Sequence, residues 1–245
     1  ELGLRATGLD GNLELHTDLY AMRRTSMQVY NSRQLLPDNP LTYNLKAAIY
    51  LGKKDTANAR KYLDRALELR PTYMPAATNL AQLDLQEKNP KAARGRLEAI
   101  LAKDGKNAQA LLALADFAPR IGASKEERIG WLERARAASP DSVQPLLMLA
   151  QLHAQAGDAK KALEAAQQAQ AIGPDNPEVL DTLGAMQLAA GEKENALATF
   201  GKLVSKQPNS PAALYRLGTA QAANANPTAA AGTLRKALAL KADFV

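Results

Sequence analysis

The sequence predicts an all-α fold, a right-handed superhelical solenoid of stacked antiparallel helical hairpins. The first observation is a period of 34 residues, with one step of 35, that runs through most of the 245-residue chain. The second is apolar spacing of three and four residues on both sides of a short turn in successive periods. A constant period of this length is typical of hairpins that bury their apolar faces against their neighbours.

Seven residues at equivalent places mark the period. They follow segments rich in Ala and Leu, and they are Pro37, Pro71, Gly105, Pro140, Pro174, Pro208 and Ala242. Proline cannot continue a helix, because it lacks the N–H and its ring clashes with the preceding turn. The single extra residue lies in the turn APRIGASKEE, where an insertion costs little because loop closure depends only weakly on length.

We expect the elements in the following order. Residues 1–39 form a degenerate N-terminal hairpin with a frayed start, with helices near 13–23 and 26–36. Six repeats then span approximately 40–73, 74–107, 108–141, 142–175, 176–209 and 210–245. The chain opens with Glu1 and closes on KADFV, which looks like the start of another repeat. We therefore expect a fragment of a longer protein.

The fourth repeat shows how each hairpin is predicted. Its first helix carries Leu146, Leu149, Ala150 and His153 on one face, and its second carries Ala162, Leu163, Ala166 and Ala169. Gly157 and Asp158 form the turn between them. The fifth and sixth repeats show the same sequence of helix, turn and helix, with turns at Gly191-Glu192 and Asn226-Pro227.

Helix starts are signalled by a capping residue followed by proline. The pairs are Asn39-Pro40, Asn89-Pro90, Asn176-Pro177, Ser210-Pro211 and Asn226-Pro227. The side-chain oxygen can accept an unpaired backbone N–H of the first turn, and proline at the first helical position has no N–H to lose.

Small residues recur at fixed places in both helices of the repeat. The first helix carries Ala47, Ala81, Ala115, Ala150, Gly184 and Gly218, and the second carries Ala59, Ala93, Ala162, Ala196 and Ala230. A small side chain lets two helices approach to about 8–10 Å between their axes. These positions therefore predict the contacts inside each hairpin.

Composition sets outer limits on function. Apolar residues make up 46% of the chain and aromatic residues 4%, and the formal net charge of +6 is spread without a long run of one sign. The chain has no cysteine, which excludes disulfides and thiolate chemistry. No segment approaches about 20 uninterrupted apolar residues, so we expect no membrane span.

The string YNLKAAIYLGKKDTANARKYLDRALELRP resembles the tetratricopeptide repeat. The match falls on Tyr43, Ala47, Tyr50, Ala59, Leu63, Ala66 and Pro71. The resemblance covers about residues 40–245 and implies a solenoid that binds proteins or peptides without catalysis.

A narrower resemblance is to the tetratricopeptide-repeat lipoprotein of the exosortase/PEP-CTERM system of Gram-negative bacteria. It is carried by PDNPLTYNLKAAIYLGKKD, AILAKDGKNAQALLALADFA and GPDNPEVLDTLGAMQLAAGEKENALATF. It implies a role in exopolysaccharide export or protein sorting. It also implies a lipid-anchored full-length protein in the periplasm or on the outer membrane facing the periplasm.

Residues typical of catalysis are sparse. The two histidines, His16 and His153, fall in different repeats, and the common nucleotide, hydrolase and metal-binding motifs are absent. Glu126 and Glu127 are assigned to a turn, as a solvated surface. We expect no enzyme activity, no cofactor and no metal.

The only tryptophan, Trp131, is either an exposed anchor for a partner or a residue packed between helices.

The candidate binding site is the inner face of the first helices, which line the concave side of such a solenoid. Its residues off the packing stripe are Asn44, Thr78, Gln82, Gln86, Leu112, Asp116, Leu147, Gln151, Gln155, Asp181, Tyr215 and Thr219. This amide-rich surface suits an extended peptide or a helix. It includes no lysine, so a clamp for a C-terminal carboxylate is not expected.

The leading hypothesis is therefore a scaffold for a protein or peptide partner of unknown identity. An alternative is direct binding of a polysaccharide, for which Tyr215 and the amides are the favourable residues. A nucleic-acid-binding helical repeat is a weaker alternative. The inner-face residues include two aspartates and no lysine or arginine, whereas a phosphate path needs clustered positive charge. We expect no nucleic acid as partner.

Overall fold

The computed structural model describes residues 39–242, which form helices joined by short turns, with no strand in this range. Its twelve helices are α1 Pro40–Gly52, α2 Thr56–Leu69, α3 Met74–Gln86, α4 Pro90–Lys103, α5 Ala108–Phe117, α6 Lys125–Ala138, α7 Gln144–Gln155, α8 Ala159–Ile172, α9 Pro177–Ala189, α10 Lys193–Lys206, α11 Pro211–Ala223 and α12 Pro227–Ala242. The predicted all-α class is confirmed. The predicted N-terminal hairpin and the start of a further repeat at the C-terminus lie outside the described residues.

The described residues fold as two compact units, residues 39–131 and 132–242. The N-terminal unit contains the hairpins α1–α2 and α3–α4, then α5 and the start of α6. The C-terminal unit contains the end of α6 and the hairpins α7–α8, α9–α10 and α11–α12.

The predicted capping residues begin their helices. Asn39, Asn89, Asn176 and Ser210 accept a backbone N–H of the first turn, and each precedes a proline at the start of the helix. Asn226 does the same for Ala229, with 3.1 Å between its Oδ1 and the backbone nitrogen. Local sequence therefore fixes these five helix starts, as expected.

The turn inside each hairpin contains one residue with left-handed backbone. The φ values are 77° at Gly157 and 82° at Gly191, where glycine adopts this conformation without steric cost. The equivalent positions elsewhere are Lys54, Lys88, Gly122 and Ala225, with φ between 55° and 69°. The turn geometry is thus a property of the repeat, and it holds where the sequence offers no glycine.

Each unit has its own apolar core, built from alanine against larger side chains. In the N-terminal unit a cluster that includes Ala47, Leu63 and Leu80 is fully buried. In the C-terminal unit Phe200 is fully buried within a cluster that includes Leu180 and Leu203. The small residues predicted at the helix contacts are therefore core positions.

The two glycines of this stripe face large side chains. A Cβ added at Gly184 would lie 2.6 Å from the Phe200 ring, and one added at Gly218 would lie 2.7 Å from the Leu234 side chain. Both glycines lie sixteen residues before their partners. The size of one residue thus compensates for the size of the other within the hairpin.

The third repeat departs from the others. Its first helix α5 is 10 residues long, whereas α1, α3, α9 and α11 are each 13. Arg128 stands at the register where the other second helices carry the small alanine, and its Nε is buried without a hydrogen-bond partner. The extra residue of the 35-residue step therefore accompanies a local change in packing.

Helix α6 begins earlier than the sequence suggested. The assignment of Glu126 and Glu127 to a turn is wrong, because both lie in the first turn of α6. The Glu127 carboxylate accepts the Ser124 backbone N–H at 2.9 Å, and the Ser124 hydroxyl oxygen accepts the Glu127 N–H at 3.1 Å. This reciprocal pair is a capping box, which stabilises the start of a helix.

Trp131 packs inside the N-terminal unit. Its side chain is buried at 8% exposure, and the Arg94 guanidinium lies 5.4 Å from the ring centroid. Arg94 also donates to Glu127 at 2.8 Å. Of the two alternatives for Trp131, the packed side chain is confirmed.

The Glu127 carboxylate should make stability depend on acid pH. Its pKa is held below the ordinary value by the Ser124 N–H first and by Arg94 second. A carboxylate with a lowered folded-state pKa stabilises the fold above its unfolded-state pKa of about 4.3 and loses this contribution as pH falls further. We expect Glu127→Gln to lower the urea midpoint at pH 7, and the difference from wild type to shrink as pH falls below about 4.3.

Glu126→Gln is the matched control, because Glu126 is an exposed neighbour without that cap. It should leave the midpoint nearly unchanged at both pH values. A Glu127→Gln effect that stays the same at low pH would contradict the assignment.

Candidate functional site

The predicted inner-face residues of the N-terminal unit differ in exposure. Gln82, Gln86 and Asp116 are exposed, whereas Thr78 and Leu112 are half-buried. Asn44 is also half-buried, and its Oδ1 accepts a hydrogen bond from Asn79 Nδ2 at 3.1 Å. This face therefore offers two free amides on α3, while the amide on α1 is already engaged.

In the C-terminal unit the predicted residues again differ in exposure. Gln151, Gln155 and Thr219 are exposed, and Tyr215 exposes 58% of its surface. Leu147 was predicted to contact a partner, and this is wrong. It is 1% exposed because it packs in a core cluster with Val179.

A groove of about 710 Å³ lies in the C-terminal unit, between the starts of α9 and α11 and the end of α10. Its polar lining residues are Asn176, Glu178, Asp181, Gln207, Tyr215 and Arg216. Leu203, Ala212 and Ala213 add apolar surface. The groove thus brings together two predicted residues, Asp181 and Tyr215, with four that sequence reasoning missed.

Asp181 and Arg216 form a two-pronged ion pair across the groove. Arg216 donates from Nε to Asp181 Oδ1 at 2.7 Å and from Nη2 to Oδ2 at 3.0 Å. These hydrogen bonds to the Asp181 carboxylate raise the pKa of the Arg216 guanidinium above its ordinary range. Two parallel bonds of this kind fix orientation as well as charge. The pair links α9 to α11 within the lining of the groove.

The same spacing links helices in both units. Asn44 bonds Asn79 and Asp181 bonds Arg216, and each pair is separated by 35 residues. A residue on one first helix therefore contacts the residue one place beyond its equivalent on the next first helix. This offset could have been found by comparing polar residues 35 apart as well as 34.

A cluster of three tyrosines contributes to packing in the N-terminal unit. Tyr43 and Tyr50 each stack on Tyr62, with ring centroids 6.3 and 5.3 Å apart. The Lys46 ammonium lies within 6 Å of the Tyr43 and Tyr62 centroids. These rings cover one another, so they do not form the open aromatic platform that a polysaccharide needs.

Asp84 on α3 is the centre of a charged network in the N-terminal unit. It is 4% exposed and contacts Arg60 of α2 at 2.7 Å and Arg96 of α4 at 3.3 Å. Arg60 also bonds Glu87, and Arg96 also bonds Asp64. Burial opposes the charge of Arg60, but its bonds to Asp84 and Glu87 outweigh burial and raise its pKa. The network therefore links helices α2, α3 and α4.

The described residues contain no arrangement typical of catalysis or metal binding. No group of three or more His, Asp or Glu side chains in residues 39–242 could hold a metal ion. His153 is half-buried, and His16 lies outside the described residues. The carboxylates whose pKa is lowered, such as Asp158 and Asp175, bond to helix N–H groups or to lysines. Within this range, no helix has both the length and the apolar content of a membrane span.

Comparison with known structures supports the fold. PilF of Pseudomonas aeruginosa is 20% identical, with a TM-score of 0.62 over 79% of this chain and 88% of its own. MamA of Desulfovibrio magneticus RS-1 is 16% identical, with a TM-score of 0.58 over 68% and 94%. YrrB, described as a TPR protein with an unusual peptide-binding site, is 21% identical, with a TM-score of 0.55 over 74% and 93%.

Sequence families give the more specific result. No curated protein matches the chain at a significant level. One tetratricopeptide-repeat family profile matches residues 50–117 and 131–185, and a second matches residues 184–243. These ranges cover more than half of the chain. The chain therefore belongs to the tetratricopeptide-repeat family, whose members are typically non-catalytic scaffolds for peptide or protein partners.

Proposed function

We propose that this protein is a non-catalytic scaffold that binds a protein or peptide through the inner face of its first helices. The observation that supports this most is the groove of the C-terminal unit, where the exposed Tyr215 lies beside the Asp181–Arg216 pair. In the N-terminal unit, α3 presents Gln82 and Gln86 on the equivalent face. Side-chain amides can bond the backbone of an extended peptide, and exposed tyrosines are enriched among residues that dominate binding energy.

We further propose that the scaffold works in a bacterial envelope system for exopolysaccharide export or exosortase/PEP-CTERM protein sorting. The support is the resemblance of three segments, including PDNPLTYNLKAAIYLGKKD, to the lipoprotein of that system. The full-length protein would then be lipid-anchored and face the periplasm. Reading the gene upstream of Glu1 tests this, because the proposal expects a lipobox there and exosortase genes nearby.

The binding surface is tested by capture of partners from a Gram-negative envelope extract. The variant Gln82→Ala/Gln151→Arg changes one exposed amide in each unit. We expect partner recovery to fall about tenfold or more, since a charge placed in a binding face costs desolvation. Gln167→Arg is the control, because Gln167 is exposed on the second helix α8. Unchanged recovery with the double variant would show that the inner face is not the binding surface.

A further inference from the structure

The groove of the C-terminal unit contains one charge that the protein does not neutralise. Asp181 is paired with Arg216, and Asp175, which is not a lining residue, contacts both Lys202 and Lys206. Within residues 39–242 the Glu178 carboxylate has no ion-pair partner, although it is exposed and lines the groove. The free charge of the lining is therefore negative, in a chain whose overall charge is +6.

Glu178 lies beside a second carboxylate. It precedes Asp181 by three residues on α9, so the two side chains are neighbours on the helix surface. Like charges at this spacing repel each other, and only Asp181 is compensated. A cation that pairs with Glu178 in the groove would relieve this repulsion.

An apolar contact lies within the same groove. Tyr215 exposes 58% of its surface, the largest exposed aromatic side chain among the described residues. It lies one residue before Arg216, which is held in place by two hydrogen bonds to Asp181. Gln207 at the end of α10 adds an exposed amide to the lining. The surface therefore offers a carboxylate, an aromatic ring and an amide.

We propose that this groove binds a peptide segment in which a lysine or arginine lies next to an aromatic or aliphatic residue. The basic side chain pairs with Glu178, the neighbouring side chain packs on Tyr215, and Gln207 bonds the peptide backbone. The proposal rests on the scaffold function above and names the chemistry of its partner.

An acidic peptide fits the groove less well. Asp181 already accepts from Nε and Nη2 of Arg216, so a peptide carboxylate could use only the remaining N–H groups of Arg216, beside a cation that is already paired, and it would approach Glu178. Lys202 and Lys206 are not part of the lining, and both contact Asp175, at 2.8 and 3.1 Å, which balances one of their two charges. Charge complementarity therefore favours a basic segment.

The test is selection from a phage-displayed library of random 12-residue peptides on the wild-type protein, followed by affinity measurement with the synthetic peptides. We expect enrichment of Lys or Arg next to an aromatic or aliphatic residue. Glu178→Gln should weaken binding of these peptides about two- to fivefold, and Tyr215→Ala about tenfold or more. Glu164→Gln, which changes an exposed glutamate on α8, should alter affinity less than about twofold.

Exchanging the charges of the peptide and of residue 178 distinguishes ion pairing from a structural effect of the variant. A peptide whose basic residue is replaced by glutamate should bind Glu178→Lys better than it binds wild type. Enrichment of acidic peptides that depend on Arg216, or of basic peptides that ignore Glu178 and Tyr215, would overturn the proposal. Selected peptides that depend on Gln82 or Gln151 alone would overturn it too, while leaving the scaffold function intact.

Discussion

Replacing Phe200 with alanine is expected to lower the free energy of unfolding of the C-terminal unit by about 3–5 kcal/mol. Phe200 on α10 is fully buried, and its ring fills the space that the missing Cβ of Gly184 leaves on α9. Both faces of the contact lose packing when the ring is removed, because glycine has no side chain that could move into the cavity. Urea denaturation followed by circular dichroism measures the change.

The contact with Gly184 provides the sharper test of this packing. Gly184→Ala should cost about 1–3 kcal/mol, since its Cβ would lie 2.6 Å from the buried ring. In a Phe200→Leu background the same change should cost much less, because the first three repeats combine alanine with leucine at this register.

Gly201→Ala is the control. Nothing lies within 4 Å of its added Cβ, so alanine should stabilise α10 by up to about 1 kcal/mol. Equal costs of Gly184→Ala in both backgrounds would contradict size compensation.

The sequence predicts the hairpins because the signals for them are local. Asn39, Asn176 and Ser210 cap their helices through atoms two or three residues away, and proline sets the next φ without help from the rest of the fold. The small residues Gly184 and Gly218 could be recognised for a similar reason, since the period repeats each helix contact at the same register.

The binding surface is predicted less well, because exposure depends on contacts between repeats. Leu147 occupies the same register as the exposed Tyr215, yet it is buried beside Val179. Arg216 lies one place beyond that register, so a comparison at intervals of 34 does not pair it with Asp181. Sequence reasoning therefore found the face and missed which of its side chains are already engaged.

The position of Asp84 shows how one register can change its chemistry. The first repeat has Tyr50 there, the fourth has His153 and the fifth has Gln187, which accepts a hydrogen bond from Thr199 at 2.8 Å. In the second repeat the same position holds a buried carboxylate between two arginines. The pattern predicts a large side chain, but it does not reveal that the arginines on α2 and α4 compensate the charge.

We expect Asp84→Ala to lower the free energy of unfolding of the N-terminal unit by about 2–4 kcal/mol. Removing one partner of a buried ion pair leaves the other charge uncompensated, which costs more than the pair contributes. Arg60 and Arg96 keep Glu87 and Asp64 as second partners and are partly exposed, so the loss should fall below that of a fully buried pair. Thermal and urea unfolding measure the loss.

Asp64→Ala is the matched control for this network. Asp64 pairs with the same Arg96 at 3.1 Å, but its side chain is 48% exposed, so its removal should cost less than about 1 kcal/mol. Asp84→Asn keeps the shape and can still accept hydrogen bonds, and it should fall between the two alanine variants because only the charge is lost. If Asp84→Ala costs no more than Asp64→Ala, the buried carboxylate does not hold α2, α3 and α4 together.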